Sequence, residues 1–165
     1  MKISILLPYK ENYSPEYAGA VSLFIRSVSD NSLFKKEITI FGSTNFKKKL
    51  SKNYINIPLY KRFLSSQSKD YVDKFVKLQL VDKPDIIEVH NRPIYIKKLV
   101  NLKSKLVLYF HNDPITMDGS RTNNERIFLL NNCEKIIFNS EWSKKQFLKK
   151  LPQFYHKSKK LNVIH

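Results

Sequence analysis

Glycine is scarce in this chain of 165 residues, with Gly19, Gly42 and Gly119 as the whole supply. Three glycines so far apart can write neither a G-x-G-x-x-G dinucleotide fingerprint nor a P-loop, so both phosphate cradles are excluded. Cysteine is scarcer still. Cys133 stands alone, which rules out an internal disulfide and a cysteine-based zinc site. No apolar run approaches the roughly 20 residues that a spanning helix needs. Ile3 to Leu7 is too short for the apolar part of a signal peptide, and Pro8-Tyr9-Lys10-Glu11 offers no small-residue cleavage site. The cytoplasm is the expected compartment. Acidic residues are also few: 14 Asp+Glu against 30 Lys+Arg leave a net charge of +16.

That surplus predicts attraction to something anionic, whether nucleic acid, a membrane surface or a phosphorylated small molecule. Lysine outnumbers arginine, and lysine is the less base-specific cation. No zinc finger, RNP motif or basic zipper is present to turn charge into sequence reading, so no specific nucleic-acid partner is expected. A lysine-rich surface that only solubilises the protein is the plain alternative. A hydrophobic content of 42% is ordinary for a folded protein, and the length suits one domain with a real core.

Strand and helix patterns alternate along the chain. Ile3 to Leu7 reads as a strand buried on both faces, stopped by Pro8. Val21, Phe24, Ile25 and Val28 then recur at helical spacing, just after Gly19. Glu37–Phe41 and Tyr54–Ile57 are expected strands, with a lysine-rich stretch, Phe46 to Lys52, between them and an irregular one, Tyr60 to Ser66, after. Lys69 to Val81 is an expected helix, its apolar side Tyr71, Val72, Phe75, Val76 and Gln79, stopped at Lys83-Pro84. Ile86–Val89 is a strand, Ile94 to Leu102 a helix, and Leu106–Phe110 the strongest strand. Thr116 to Ser120 reads as a loop and Arg121 to Asn131 as a helix with Ile127 and Leu130 inward. Lys135–Phe138 follows as a strand, then a helix capped by Ser140 and containing Trp142, Phe147 and Leu148, and last a strand at Leu161–Ile164. The pattern predicts the α/β class: a doubly wound, Rossmann-like parallel sheet of about seven strands.

Ligands of such sheets bind beyond the carboxyl ends of the strands. Three polar clusters fall there: the loop after Leu7, His90-Asn91-Arg92, and His111-Asn112-Asp113. Gly19 has two readings, a close approach for a phosphate at a helix N-terminus or simple packing of helix on strand. Each histidine is either a satisfied structural residue or a working one. Glu88 and Asp113 show no recognised metal spacing beside the histidines, so no metal is expected. A nucleophilic triad lacks its elbow motif.

Several of these segments together resemble one family. They are Ile3-Ser4-Ile5-Leu6-Leu7-Pro8, Gly19-Ala20-Val21, the block Lys83 to Asn91, Phe110-His111-Asn112-Asp113, and the block Phe138 to Lys144. In order, they are similar to the N-terminal, acceptor-side domain of group 1 retaining glycosyltransferases of the GT-B fold. The resemblance runs over residues 1–165 as one domain and implies half of an enzyme, either a piece or a truncated gene product. The second, nucleotide-sugar domain, with its paired-glutamate motif, is not in this sequence. The implied reaction moves a sugar from a nucleotide-sugar, a co-substrate and not a bound cofactor, to a glycan or lipid-linked acceptor with retention and without metal. This half alone is expected to be inactive.

By the same resemblance, Gly19 and Ala20 match a small-residue loop that approaches the donor phosphates. His111, the implied catalytic residue, matches a strand-end histidine beside the transferred sugar. His90, Asn91, Asn112 and Asp113 are the implied substrate-side neighbours. The rival class is a stand-alone basic module for anionic lipid or nucleic acid. Phe46–Leu50, Tyr60-Lys61-Arg62-Phe63 and a helix from Trp142 to Leu151 all interleave aromatics with lysine. In that last helix Trp142, Lys144, Lys145, Lys149 and Lys150 are the candidate membrane-surface residues. The two classes meet in an enzyme docked peripherally on the inner membrane face.

Overall fold

A computed structural model describes residues 1–59 and 66–164. Nearly all of the irregular stretch expected at Tyr60 to Ser66, the basic–aromatic run Tyr60–Phe63 and the terminal His165 lie outside the described residues. Seven strands form one sheet in the order β3-β2-β1-β4-β5-β6-β7, which is the expected doubly wound parallel α/β architecture. The chain divides into two compact units, 1–87 with 102–104, and 88–101 with 105–165.

The first unit holds β1 (Ile3–Leu6), α1 (Ala20–Asn31), β2 (Ile38–Gly42), β3 (Tyr54–Asn56) and α2 (Gln67–Asp82). β1 pairs parallel to β2 with Ile5 opposite Ile40, and β2 pairs parallel to β3 with Ile40 opposite Tyr54. Ile5, Leu7, Tyr13, Val21, Ile25, Ile38 and Ile40 form one buried cluster. Val21, Phe24 and Ile25 of the apolar stripe expected on α1 face this cluster, but Val28 does not. Val28 is 49% exposed, while Ser22 and Ser29 are buried beside Val21 and Ile25. Small serines let the helix approach its strands more closely than the branched valine would.

α2 buries Tyr71, Val72, Phe75 and Gln79, as its spacing predicts, with Val76 half-buried. Its Tyr71 hydroxyl reaches the carbonyl oxygens of Leu7 (2.9 Å) and Phe41 (3.3 Å), tying the helix to the ends of β1 and β2. Lys83 closes α2 in a left-handed conformation (φ 49°), its N–H bonded to the Gln79 carbonyl. Pro84 then forbids another turn.

The second unit takes up β4 (Ile86–His90) from Glu88 onward, then α3 (Ile96–Leu99), β5 (Lys105–Phe110), α4 (Asn123–Asn132), β6 (Lys135–Phe138), α5 (Glu141–Leu148) and β7 (Leu161–Val163). The single helix expected from Ile94 to Leu102 is instead a 3₁₀ turn, Pro93–Tyr95, and a four-residue α3. Pro93 sets the opening turn, and the Asn- and Ser-containing tail after Leu99 has little helical propensity. Pro114–Thr116 is likewise a 3₁₀ turn.

α4 begins at a capping box between Thr122 and Glu125 and buries Arg126, Leu129 and Leu130, while Ile127 is half-buried. Buried Arg126 was not legible as an inward position. Its guanidinium donates to the carbonyl oxygens of Ser120, Arg121 and Lys149 and to the Asn123 side chain, so its charge is solvated by the backbone. The rings of Phe110, Phe138 and Phe147 pack together, with centroids 5.4–5.7 Å apart. Gly119 has φ +92°, and an added Cβ would lie 2.5 Å from the Ile94 nitrogen, so only glycine fits there.

Candidate functional site

The second unit brings together three titratable side chains. A strand repeats every two residues, so Glu88 and His90 share one face of β4. His90 is fully buried. Its Nε2 lies 2.5 Å from Glu88 Oε1, and its Nδ1 lies 2.8 Å from His111 Nε2. His111 is the first residue beyond β5 and is half-buried. Tyr109, also buried, stacks on both imidazoles, 5.3 Å from His90 and 4.3 Å from His111 between centroids.

The backbone of His111 is clamped as well. Asn91 adopts a left-handed conformation (φ 51°), its N–H bonded to the Tyr109 carbonyl at 2.9 Å. Its side-chain oxygen accepts the His111 N–H at 2.8 Å. Just beyond β6, the Asn139 amide donates to the His111 carbonyl at 2.7 Å. Asn is among the few residues that tolerate the left-handed region cheaply, so the turn and the clamp come from one side chain.

The environment decides the charges. Burial opposes ionisation of Glu88, but the attraction of His90 and its hydrogen bond outweigh that, and the carboxyl titrates below its ordinary value. Burial, helped by His90, pushes His111 down to about 4 against a smaller opposing pull from Glu88. Near neutral pH, His111 is therefore an uncharged imidazole close to the ionised Glu88 carboxylate. Such a ring can hydrogen-bond a hydroxyl or exchange a proton with it, and it carries no fixed positive charge.

The other expected site residues fall in separate places. Asn112 is exposed. Asp113 caps the following 3₁₀ turn through the Ile115 N–H. In the first unit, Gly19 is the N-cap of α1 with no side chain to offer, and Ala20 is exposed. Glu11 supplies the missing cap, with its Oε1 accepting the Ser22 N–H at 3.0 Å. A Cβ on Gly19 would sit 2.1 Å from that oxygen. The glycine thus makes room for a carboxylate of this same chain at the anion-attracting end of the helix. An open cavity of about 370 Å³ lies nearby in the same unit, lined by Tyr9, Lys10, Asn12, Ser43, Asn45 and Gln67 among others.

α5 ends at Leu148, so Lys149 and Lys150 lie beyond it, and the helix expected to run from Trp142 to Leu151 is shorter. Phe147 and Leu148 are buried. Trp142 (56% exposed) and Lys145 are exposed and Lys144 is half-buried. Of the apolar residues on this segment, Phe147 and Leu148 are thus spent on the core, while Trp142 stays at the surface. Among the described residues no group of three His, Cys, Asp or Glu side chains converges as a metal site requires, and no helix is long and apolar enough to cross a membrane. The Cys133 thiol is buried and pushed up to about 12, which leaves it unreactive.

Sequence reasoning found both histidines and Asn91 because they end strands. It weighed Glu88 only as a metal ligand and gave no role to Asn139, Tyr109 or Glu11. Glu88 had a readable signal, the E-x-H spacing on a strand.

The sequence matches no family model and no curated protein sequence. Solved structures do match in shape. HepE from Anabaena, solved with UDP, superposes with a TM-score of 0.63 at 15% identity over 100% of this chain and 44% of that one. Its complex with UDP-glucose gives 0.63 at 13% identity, with the same coverage. The UDP-GlcNAc 2-epimerase of Methanocaldococcus jannaschii gives 0.59 at 16% identity over 99% of this chain and 45% of that one. The chain spans less than half the length of these structures. The likeness establishes the fold, a Rossmann-like domain of the GT-B type.

Proposed function

We propose that this chain is the N-terminal half of a glycosyltransferase that moves a sugar from a nucleotide-sugar to a glycan or lipid-linked acceptor with retention. The observation that carries the proposal is the Glu88–His90–His111 cluster at the carboxyl ends of β4 and β5, on a fold shared with proteins solved with UDP and UDP-glucose. His111 is the residue proposed to touch the transferred sugar. His90, Asn91 and Glu88 hold it, and Asn112 and Asp113 complete the neighbouring rim. Gly19 and Ala20 are proposed to face the donor phosphates once Glu11 yields its place at the start of α1. No cofactor is invoked. The nucleotide-sugar is a co-substrate, and stabilising its leaving diphosphate falls to helix ends and lysines.

The charge of +16 supports work on the cytoplasmic face of an anionic membrane, where lipid-linked acceptors lie. Catalysis requires donor and acceptor held together, so the 165-residue chain alone should release no nucleotide from any nucleotide-sugar. Joined to the second domain that the proposal requires, it should release nucleoside diphosphate only when acceptor is added, and faster with anionic than with neutral vesicles. Robust turnover by the 165-residue chain would overturn the two-domain reading. Indifference to vesicle charge would remove the membrane part.

A further inference from the structure

We propose that the open cavity at the carboxyl ends of β1 and β2 is a binding site for a sugar phosphate, with Lys10 pairing the phosphate and Asn12, Ser43, Asn45 and Gln67 bonding the sugar hydroxyls.

The topology collects these residues. Tyr9, Lys10 and Asn12 lie on the loop after β1, Ser43 and Asn45 come just after β2, and Gln67 opens α2. All belong to the first unit, and none takes part in the Glu88–His90–His111 cluster. The carboxyl ends of parallel strands are where such sheets take their ligands. The volume of about 370 Å³ stands at the small end of the roughly 300–1,000 Å³ range of small-molecule sites. That suits one substituted sugar ring better than a whole nucleotide-sugar.

The wall after β2 is built before any ligand arrives. Thr44 is buried and held from three sides. Its hydroxyl donates to Asn12 Oδ1 (3.3 Å), its N–H donates to Asn56 Oδ1 (2.9 Å), and its carbonyl accepts from Lys49 Nζ (3.3 Å). Its two neighbours, Ser43 and Asn45, are thereby fixed at the cavity wall. The bond to Thr44 uses the Asn12 oxygen and leaves the amide NH₂ to donate. The side chains of Tyr9, Ser43, Asn45 and Gln67 have no hydrogen-bond partner among the described residues. The cavity therefore presents donors and acceptors that its own walls do not consume. A sugar ring carries matching groups on adjacent carbons, and partners already fixed lower the ordering cost of binding it.

Charge narrows the ligand further. Among the described residues that line the cavity, Lys10 alone is charged, and it has no ion-pair partner among the described residues. Its Nζ stands 5.5 Å over the Tyr9 ring, a cation–π distance that holds the ammonium in place. The neighbouring acid, Glu11, is turned instead to the start of α1, where it accepts the Ser22 N–H. An anion in the cavity thus meets an ammonium with no carboxylate of the wall competing for it. Lysine acts as a point charge that suits phosphate, whereas a planar carboxylate favours the arginine fork. Calling this ligand the acceptor would rest on the transferase reading; its binding does not.

The test is ¹H–¹⁵N NMR of the side-chain amides in the 165-residue chain. The probes are a panel of hexose monophosphates, their parent hexoses, glucuronate and inorganic phosphate, with no donor present. At least one hexose monophosphate should shift the Asn12, Asn45 and Gln67 signals saturably, and bind more tightly than every other class of probe. Lys10 is exposed, so Lys10→Gln should fold normally and weaken that binding about tenfold or more, the scale of one lost charge-assisted hydrogen bond. Lys36→Gln, at an exposed lysine on the turn before β2, should leave it unchanged. No binding by any hexose monophosphate overturns the site. Equal weakening in both lysine variants also overturns it, because attraction would then follow the overall charge of +16. A parent hexose or glucuronate that binds as tightly overturns the choice of phosphate, and inorganic phosphate that binds as tightly overturns the sugar. Because binding is read with neither donor nor turnover, its failure is distinct from a failure of the transferase reading.

Discussion

His111 exchanges solvation for stacking and one hydrogen bond, and that exchange makes the fold sensitive to acid. An unfolded chain takes up a proton on this ring near the ordinary value of 6.5, while the folded one refuses it until about 4. Between those values the unfolded state binds more protons, so stability must fall as pH falls. Glu88 acts in the same direction, because a carboxyl with a lowered value loses its contribution as it is protonated. Thermal melts should therefore show Tm dropping from pH 6.5 to 4, and the drop should shrink in His111→Ala. An unchanged profile in the variant would place the acid sensitivity elsewhere. At this scale the histidines were legible as strand-end polar residues, but their contact was not. It depends on β4 and β5 lying side by side, which order along the chain does not state.

At the scale of elements, α1 shows how a helix start can be satisfied from within. The loop after β1 brings Glu11 back to the first turn, and Gly19 leaves room for its carboxylate. Losing a cap of this kind costs about 1 kcal/mol, so Glu11→Ala should lower Tm modestly. It should also open the helix N-terminus to external anions. Adding sulfate should then raise the Tm of Glu11→Ala more than that of the wild type. Equal gains would mean that the carboxylate guards no anion site.

The boundaries of α2 and β6 were readable because local signals agreed with the tertiary result, an apolar period in the one case and a short apolar run in the other. On α1 the expected Val21, Phe24 and Ile25 do face the core and only Val28 does not, because Ser22 and Ser29 are inward by size and not by hydrophobicity. Arg126 defeats pattern reading for the opposite reason. A charged residue is placed outward by default, yet the carbonyls that solvate it come from Ser120, Arg121 and Lys149, and only the folded chain assembles them.

At the scale of the molecule, the alternation of apolar strands and helices was enough to name a doubly wound parallel sheet, and the strand order confirms it. Charge was legible as a sum and not as a surface. Phe147 and Leu148 are buried, and α5 ends at Leu148, which leaves Lys149 and Lys150 beyond the helix on which the sequence placed them. What remains is a GT-B-type domain whose most organised polar group is the Glu88–His90–His111 cluster. The role proposed for it in sugar transfer is tested most directly by His111→Ala in this chain joined to the second domain that the proposal requires. The measurement is acceptor-dependent nucleoside diphosphate release, with a melt on the same samples. Losing one positioned polar group should lower kcat about 10–1000-fold. The lost bond to buried His90 should cost about 1–3 kcal/mol of stability, more than an open strand-end residue would, and still leave the enzyme folded. Unchanged kcat with a lowered Tm would contradict the account and leave the cluster a purely structural one.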